Sequence, residues 1–319
     1  MASNPSPRNQ RRLPLKSTLR RLRSRLARRI VRAVGVDLAD VLHLDSHERP
    51  PASWVERIGV YAEPVAVTCV HPRDRETHTH GFGRRWIYRI PECIWDPQAN
   101  QLYSTHGSLI AESTSWPPLN ALTSWPLRPG RGQSLDLDTP CVVMPASGYY
   151  HWLIEDLPCV LAALAQEPRA AIVVSGHPPA YVSSFLNGLS RRVVQVDGPV
   201  SLHNVVLVGR GPDTGWAHPA DTEHVRSLEP ATVAAGSTSL YVSRQGSRRS
   251  PTNEAAVQSL CSDYGLAVIH PSSMTVTDQA RLFANATLIV GPHGAGLANS
   301  VWAPAQAVLI ELMQADYVV

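Results

Sequence analysis

The stretch TLIVGPHGAGLANS, residues 287–300, sets three glycines and a histidine directly behind an apolar run. Gly291, Gly294 and Gly296 would let backbone approach a ligand closely, and free N–H groups at such a turn favour a phosphate. His293 would add a side-chain donor beside it. Three structures use a turn of this kind: a phosphate cradle, an esterase-type oxyanion hole, and a tight strand-to-helix turn that binds nothing. The oxyanion hole precedes a G-x-S-x-G nucleophile elbow in its proteins. No such elbow follows His293, which leaves the cradle and the bare turn.

Three further constellations carry chemistry. In YYHWLIEDLPCVLAAL (149–164), His151 and Glu155 stand four apart on one helix face, and Asp156 follows. Pro158 is tolerated only in a first helical turn or at a kink, so the chain is expected to bend and aim His151, with Asp156 or Glu155, into a cleft. A histidine near a carboxylate suits general-base work; an ordinary helix start with acids favoured by the dipole is the plainer alternative. In LYVSRQGSRRSPTNEAAV (240–257), Arg244, Arg248 and Arg249 follow a strand. Guanidinium forks bind phosphate bidentately, although a solvated basic loop has the same composition. In VLIELMQ, Glu311 ends what reads as a buried strand, where a carboxylate commonly accepts ribose hydroxyls.

These residues need elements to hold them. From residue 141 onward, β-branched runs at 170–176, 192–197, 204–209, 239–244, 266–271, 287–292 and 307–312 alternate with helical segments at 151–166, 178–189, 253–264 and 275–285. Thr275 and Asp278 stand at capping-box spacing. Short buried strands between helices imply parallel sheets and an α/β fold. The small, turn-rich segment 226–239 is the expected linker, dividing an α/β domain at 37–230 from a second at 231–319. Residues 37–140 are rich in Pro, Trp and His, with WIYRIPECIWD and GSLIAEST as short strands of unassigned order. His71, His78, His80 and His106 invite a metal, and His78 and His80 would share one side of a strand. Their spacing supplies no third ligand, so no metal site is expected.

The chain has 319 residues, 44% of them apolar, and no run approaches the roughly 20 apolar residues of a membrane span. No apolar segment of signal-peptide type follows the basic start. Five scattered cysteines without a C-x-x-C argue against a disulfide framework or zinc site and for a reducing cytosol. The net charge of +3 hides an asymmetry, because residues 1–36 hold eleven Lys/Arg and no acid. Within that tail Leu15, Leu19, Leu22, Leu26 and Ile30 form one helical face. Residues 8–32 therefore read as a basic amphipathic helix for an anionic membrane surface, or for an acidic partner. The acidic body shows no nucleic-acid motif.

HWLIEDLP, YVSRQGSRRSPTNE, LIVGPHGAGLAN and VLIEL, in this order over roughly residues 140–313, resemble glycosyltransferase family 61. The resemblance implies two Rossmann-like domains of GT-B type and an inverting transfer from a nucleotide sugar, with UDP as the expected nucleotide. The acceptor would be a glycan hydroxyl, in cell-surface polysaccharide synthesis, with neither metal nor other cofactor. It also implies that Arg244, Arg249 and the turn His293–Gly294–Ala295–Gly296, with Asn299, hold the donor. Glu311 would face the ribose, and Asp156 would lead His151 and Glu155 as catalytic base. Two departures stand out: Ser250-Pro251-Thr252 replace expected apolar residues, and the sequence stops at Val319, where relatives continue into another helix. The second domain is thus expected to be truncated, which gives a second reading: a non-catalytic nucleotide-sugar-binding scaffold of a polysaccharide assembly complex. The expected location is the cytoplasm, peripheral at the inner face of the membrane.

Overall fold

The computed structural model describes residues 41–42, 55–70, 77–113, 133–210, 217–228, 238–247 and 249–314. The basic tail, His71, the His78 side chain, Arg248 and residues 229–237 of the expected linker lie outside the description.

The first part of the chain forms β1 (Val41–Leu42), β2 (Glu56–Ala62), β3 (Val65–Val70), β4 (Thr77–Phe82), β5 (Arg85–Asp96), β6 (Gln101–Tyr103), β7 (Leu109–Ile110) and β8 (Gln133–Ser134). The run WIYRIPECIWD is no short strand but most of the twelve-residue β5. Tyr88, Ile90, Cys93 and Trp95 pack into one apolar cluster and Ile87 into another. A strand covered on both faces loses clean alternation, which is why its length is hard to read from pattern.

Next come β9 (Cys141–Met144), α1 (Tyr149–His151), a π-helical turn (Trp152–Asp156), α2 (Leu157–Gln166), β10 (Ala171–Ser175), α3 (Ala180–Asn187), β11 (Val193–Val196), β12 (Val200–Val208) and α4 (Pro219–Arg226). The sheet runs β1-β7-β6-β5-β12-β9-β10-β11, with β2 also on β5 and β8 on β12. β12, β9, β10 and β11 are parallel, whereas β5 meets β12 antiparallel. Strand order therefore reverses between β9 and β12. Residues 171–174 of β10 are all buried, as a central parallel strand requires.

The last part holds β13 (Thr238–Val242), α5 (Glu254–Asp263), β14 (Ala267–Ile269), α6 (Val276–Ala284), β15 (Ala286–Pro292), a 3₁₀ segment (Ala295–Trp302) and β16 (Val308–Leu312). Its four strands are parallel in the order β14-β13-β15-β16, so this sheet reverses between β13 and β15. Thr275 caps α6 by accepting the Asp278 N–H at 3.1 Å. Val276, Ala280 and Phe283 then turn one apolar stripe inward. The described residues form an α/β fold, with one mixed sheet, one parallel sheet and a separate antiparallel pair, β3 with β4. β16 departs from the sequence reading, since it is the outer strand and is exposed at every position.

The mixed and the parallel sheet share a core. Leu157 and Val160 of α2 belong to the same apolar cluster as Leu240, Val242, Ile289 and Trp302. Trp302 Nε1 also donates to the Val225 carbonyl at 3.1 Å inside it. Among the described residues no helix is long and apolar enough to cross a membrane.

Candidate functional site

In an open α/β sheet, ligands bind beyond the carboxyl ends of the strands where strand order reverses. Both reversals here carry charged side chains.

At the first, β9 runs out toward Ser147 and β12 toward Arg210, and Asp156 bridges the gap. Its Oδ2 accepts from the Ser147 hydroxyl and its Oδ1 pairs with Arg210 Nη1. Asp156 is 0% exposed. Burial pushes its carboxyl up, opposed by Arg210 and Ser147. The expectation that Asp156 opens onto a cleft therefore fails on geometry, because its two oxygens are spent on holding the ends of β9 and β12 together. His151 is the accessible member, with its side chain 39% exposed. His151 Nδ1 stands 3.1 Å from Oε1 of the buried Glu155. That hydrogen bond raises the His151 pKa above its ordinary value despite partial burial.

Local sequence explains this arrangement. Pro158 has no N–H to return to residue 154, and its ring crowds that carbonyl. The helix widens instead of breaking: the Leu157 N–H bonds to the Trp152 carbonyl, five residues back. Such π turns are frequent at functional sites. Arg210 and Ser147 were invisible to sequence reasoning, since each lies outside the motif and only the sheet order brings it in.

At the second reversal, Arg244 follows β13 and its guanidinium lies against Gly294. Nη1 donates to the His293 carbonyl, and Nε donates to Ser247 Oγ at 3.2 Å. A Cβ on Gly294 would overlap the guanidinium; one on Gly291 would stand 3.0 Å from the Val242 carbonyl, and one on Gly296 3.2 Å from Val242 Cγ1. The three glycines thus let β15 and its turn close onto the end of β13. Burial, then the nearby charge of Arg249, pushes the Arg244 pKa down. Two guanidiniums whose charges act on each other form a site that favours an anion. Arg249 and His293 line a cavity of about 270 Å³ with Asn253, Leu312 and Gln314. His293 Nδ1 lies 2.7 Å from Glu311 Oε1, both side chains being partly exposed.

Of the expected donor residues, Arg249 and His293 share the cavity. Arg244, Gly294, Ala295 and Gly296 form the turn beside it, and Glu311 joins through His293. Asn299 does not: it is 0% exposed. Its Nδ2 donates to Gln279 Oε1 at 2.6 Å and to the Gly296 carbonyl at 3.0 Å. Its Oδ1 accepts from the Tyr149 hydroxyl at 2.6 Å. Among the described residues no three His, Cys, Asp or Glu side chains gather to hold an ion, and His71 and the His78 side chain lie outside the description.

Glu254 holds the basic turn, a role its sequence position did not announce. Its carboxylate accepts from Ser243 Oγ at 2.7 Å, Tyr241 OH at 2.9 Å and the Arg244 N–H at 3.1 Å. Burial pushes its pKa up, but the bonds from Ser243, Tyr241, Gln258 and Arg244 outweigh it and hold the pKa below the usual range. A depressed carboxylate stabilises the fold above its unfolded pKa and loses that contribution as pH falls through the folded one. Glu254→Gln is therefore expected to lower stability at pH 7 by about 1–3 kcal/mol. The gap between variant and parent should shrink below about pH 4, as thermal melts across pH would register.

The glycosyltransferase 61 family model matches residues 149–310. That span is half of the chain, so the chain belongs to the glycosyltransferase 61 family. Among curated proteins none matches it. The matched span begins at Tyr149, just after β9, takes in Asp156, Arg210 and the whole reversal between β13 and β15, and ends within β16. Membership makes the protein a glycosyltransferase, acting between a glycosyl donor and an acceptor.

Proposed function

We propose that this glycosyltransferase is an inverting, metal-independent enzyme of GT-B type that moves a sugar from a UDP-linked donor to a glycan hydroxyl in cell-surface polysaccharide synthesis. The observation that carries the reading is the pairing of two switch points, Arg244 with Arg249 on one sheet and His151 with Glu155 on the other. In this reading the boundary near residue 230 separates an acceptor-side domain from a donor-side domain.

The donor's diphosphate would lie against Arg244, Arg249 and the turn His293–Gly296, near the start of α5, where helix N–H groups and dipole favour negative charge. Glu311, steered by His293, would meet the ribose. Glu155 orients the imidazole through His151 Nδ1, and His151 would take the acceptor's proton. The acceptor oxygen attacks the anomeric carbon as the bond to the diphosphate breaks, and the departing oxygen keeps the electron pair. The two guanidiniums offset that developing charge, a role for which other enzymes use a divalent cation. Asp156, which the motif alone nominated as the base, instead anchors Arg210.

Thermal melts against a panel of nucleotides and nucleotide sugars test this reading, because a ligand at 100 times its Kd stabilises by about 2.7 kcal/mol. UDP and UDP-sugars should raise the melting temperature above the other nucleotides. Binding without turnover across an acceptor panel would replace transfer by the scaffold reading. A cytoplasmic, peripheral membrane placement rests on residues 8–32, whose arginines would each contribute about 1 kcal/mol near an anionic surface. Deleting residues 1–32 is expected to abolish flotation with anionic liposomes and leave the body folded; equal flotation of both proteins would refute the membrane role.

A further inference from the structure

The donor turn and the base pair stand on different sheets, so transfer needs something that fixes the distance between them. Tyr149 occupies that position. It opens α1 two residues before His151, and its hydroxyl reaches Asn299 Oδ1 at 2.6 Å, with Gln279 Oε1 at 3.2 Å. Asn299 passes the contact to the turn itself through the Gly296 carbonyl at 3.0 Å. Gln279 anchors the other side, donating to the carbonyls of Pro271 at 3.0 Å and Met274 at 3.2 Å. Asn299 and Gln279 are both buried. The ring of Tyr149 is set in turn by Tyr181, edge-on at 5.2 Å, and by Trp152 at 6.0 Å. Burial drives the Tyr149 pKa far above neutral, so the hydroxyl keeps its proton.

We propose that Tyr149 is a positioning residue: through Asn299 and Gln279 it locks the helix carrying His151 to the turn carrying Gly294 and Gly296, and so sets the acceptor base against the donor. The inference rests on the transfer reading above. The amides are enclosed, fully engaged and aimed at one hydroxyl, an arrangement in which a buried polar network specifies a unique geometry. A phenylalanine at 149 keeps the ring packing and removes only the lock.

The test compares the full-length chain with Tyr149→Phe. Amide hydrogen exchange is measured without ligand, UDP binding by calorimetry, and transfer from a UDP-sugar as kcat and KM separately. Exchange should accelerate at least tenfold in both 149–157 and 294–302 and stay unchanged elsewhere. UDP affinity and donor KM should hold within about twofold while kcat falls about tenfold or more. Faster exchange throughout the chain would mean a merely structural tyrosine, and unchanged exchange in either segment would mean no lock; both overturn the proposal. A tyrosine variant with the parent's kcat overturns it as well. Should the parent fail to bind UDP, the donor reading falls, and the exchange result still decides whether the lock exists.

Discussion

Transfer by a His151→Asn variant is expected to fall by about 10²–10⁴-fold, the usual contribution of a positioned general base. UDP affinity should be unaffected, because His151 stands at the reversal of the other sheet. Initial rates with a UDP-sugar and acceptor, set beside calorimetric UDP binding, measure both. Glu155→Gln refines the assignment. The His151 pKa is raised chiefly by its bond to Glu155, and a base works only once deprotonated. Removing Glu155's charge should therefore move the acid limb of kcat/KM to lower pH. The same raised pKa adds stability below the unfolded value and loses it as pH rises through the folded one. Asp156→Asn should behave differently. It strips the partner from Arg210, whose side chain is 10% exposed, and breaking such a buried pair costs about 3–5 kcal/mol. An Asp156→Asn protein that melts like the parent yet transfers nothing would restore Asp156 as the base and displace His151.

That contrast shows what the motif could convey. HWLIEDLP presents a histidine and two carboxylates within six residues, and local spacing does pair His151 with Glu155. Which carboxylate is enclosed depends on Arg210 and Ser147, delivered by the ends of β12 and β9, and no local pattern encodes that strand order. The parallel strands and their helices from residue 141 were legible because β-branched runs and helical segments alternate there. The antiparallel strands before residue 114 were not, since β5 packs into two apolar clusters and joins β12, a strand far along the sequence, as well as its neighbour β6. β16 misled for the opposite reason: VLIEL has the composition of a buried strand but stands at a sheet edge. The glycine turn was read for its openness to phosphate. Its glycines are also compelled by packing against Val242 and Arg244, which a sequence cannot show. Asn299 looked like a ligand contact because it sits in the turn motif, and the fold turns it inward.

Loss of Arg244 should produce the largest effect on binding. Arg244→Ala is expected to weaken UDP binding by about 1.5–3 kcal/mol, the worth of a charge-assisted hydrogen bond, or roughly tenfold to more than a hundredfold in Kd. The guanidinium is held in place before any ligand arrives, between the His293 carbonyl and Ser247, so little ordering entropy is left to lose on binding. Arg249 would then face the diphosphate without it, and its charge adds to burial in destabilising the Arg244 cation in the unliganded site. An anion relieves that repulsion. Binding should therefore weaken with rising salt in the parent, and less steeply in Arg244→Ala. Gly294→Ala provides an independent route to the same site, since its Cβ would displace the guanidinium without deleting it. Both variants should lose UDP affinity and keep exchange protection at 149–157. Calorimetry at two salt concentrations decides the matter: a Kd in Arg244→Ala equal to the parent's at low salt would remove the β13 and β15 reversal from the donor site, and the His293–Gly296 turn would then be a packing device alone.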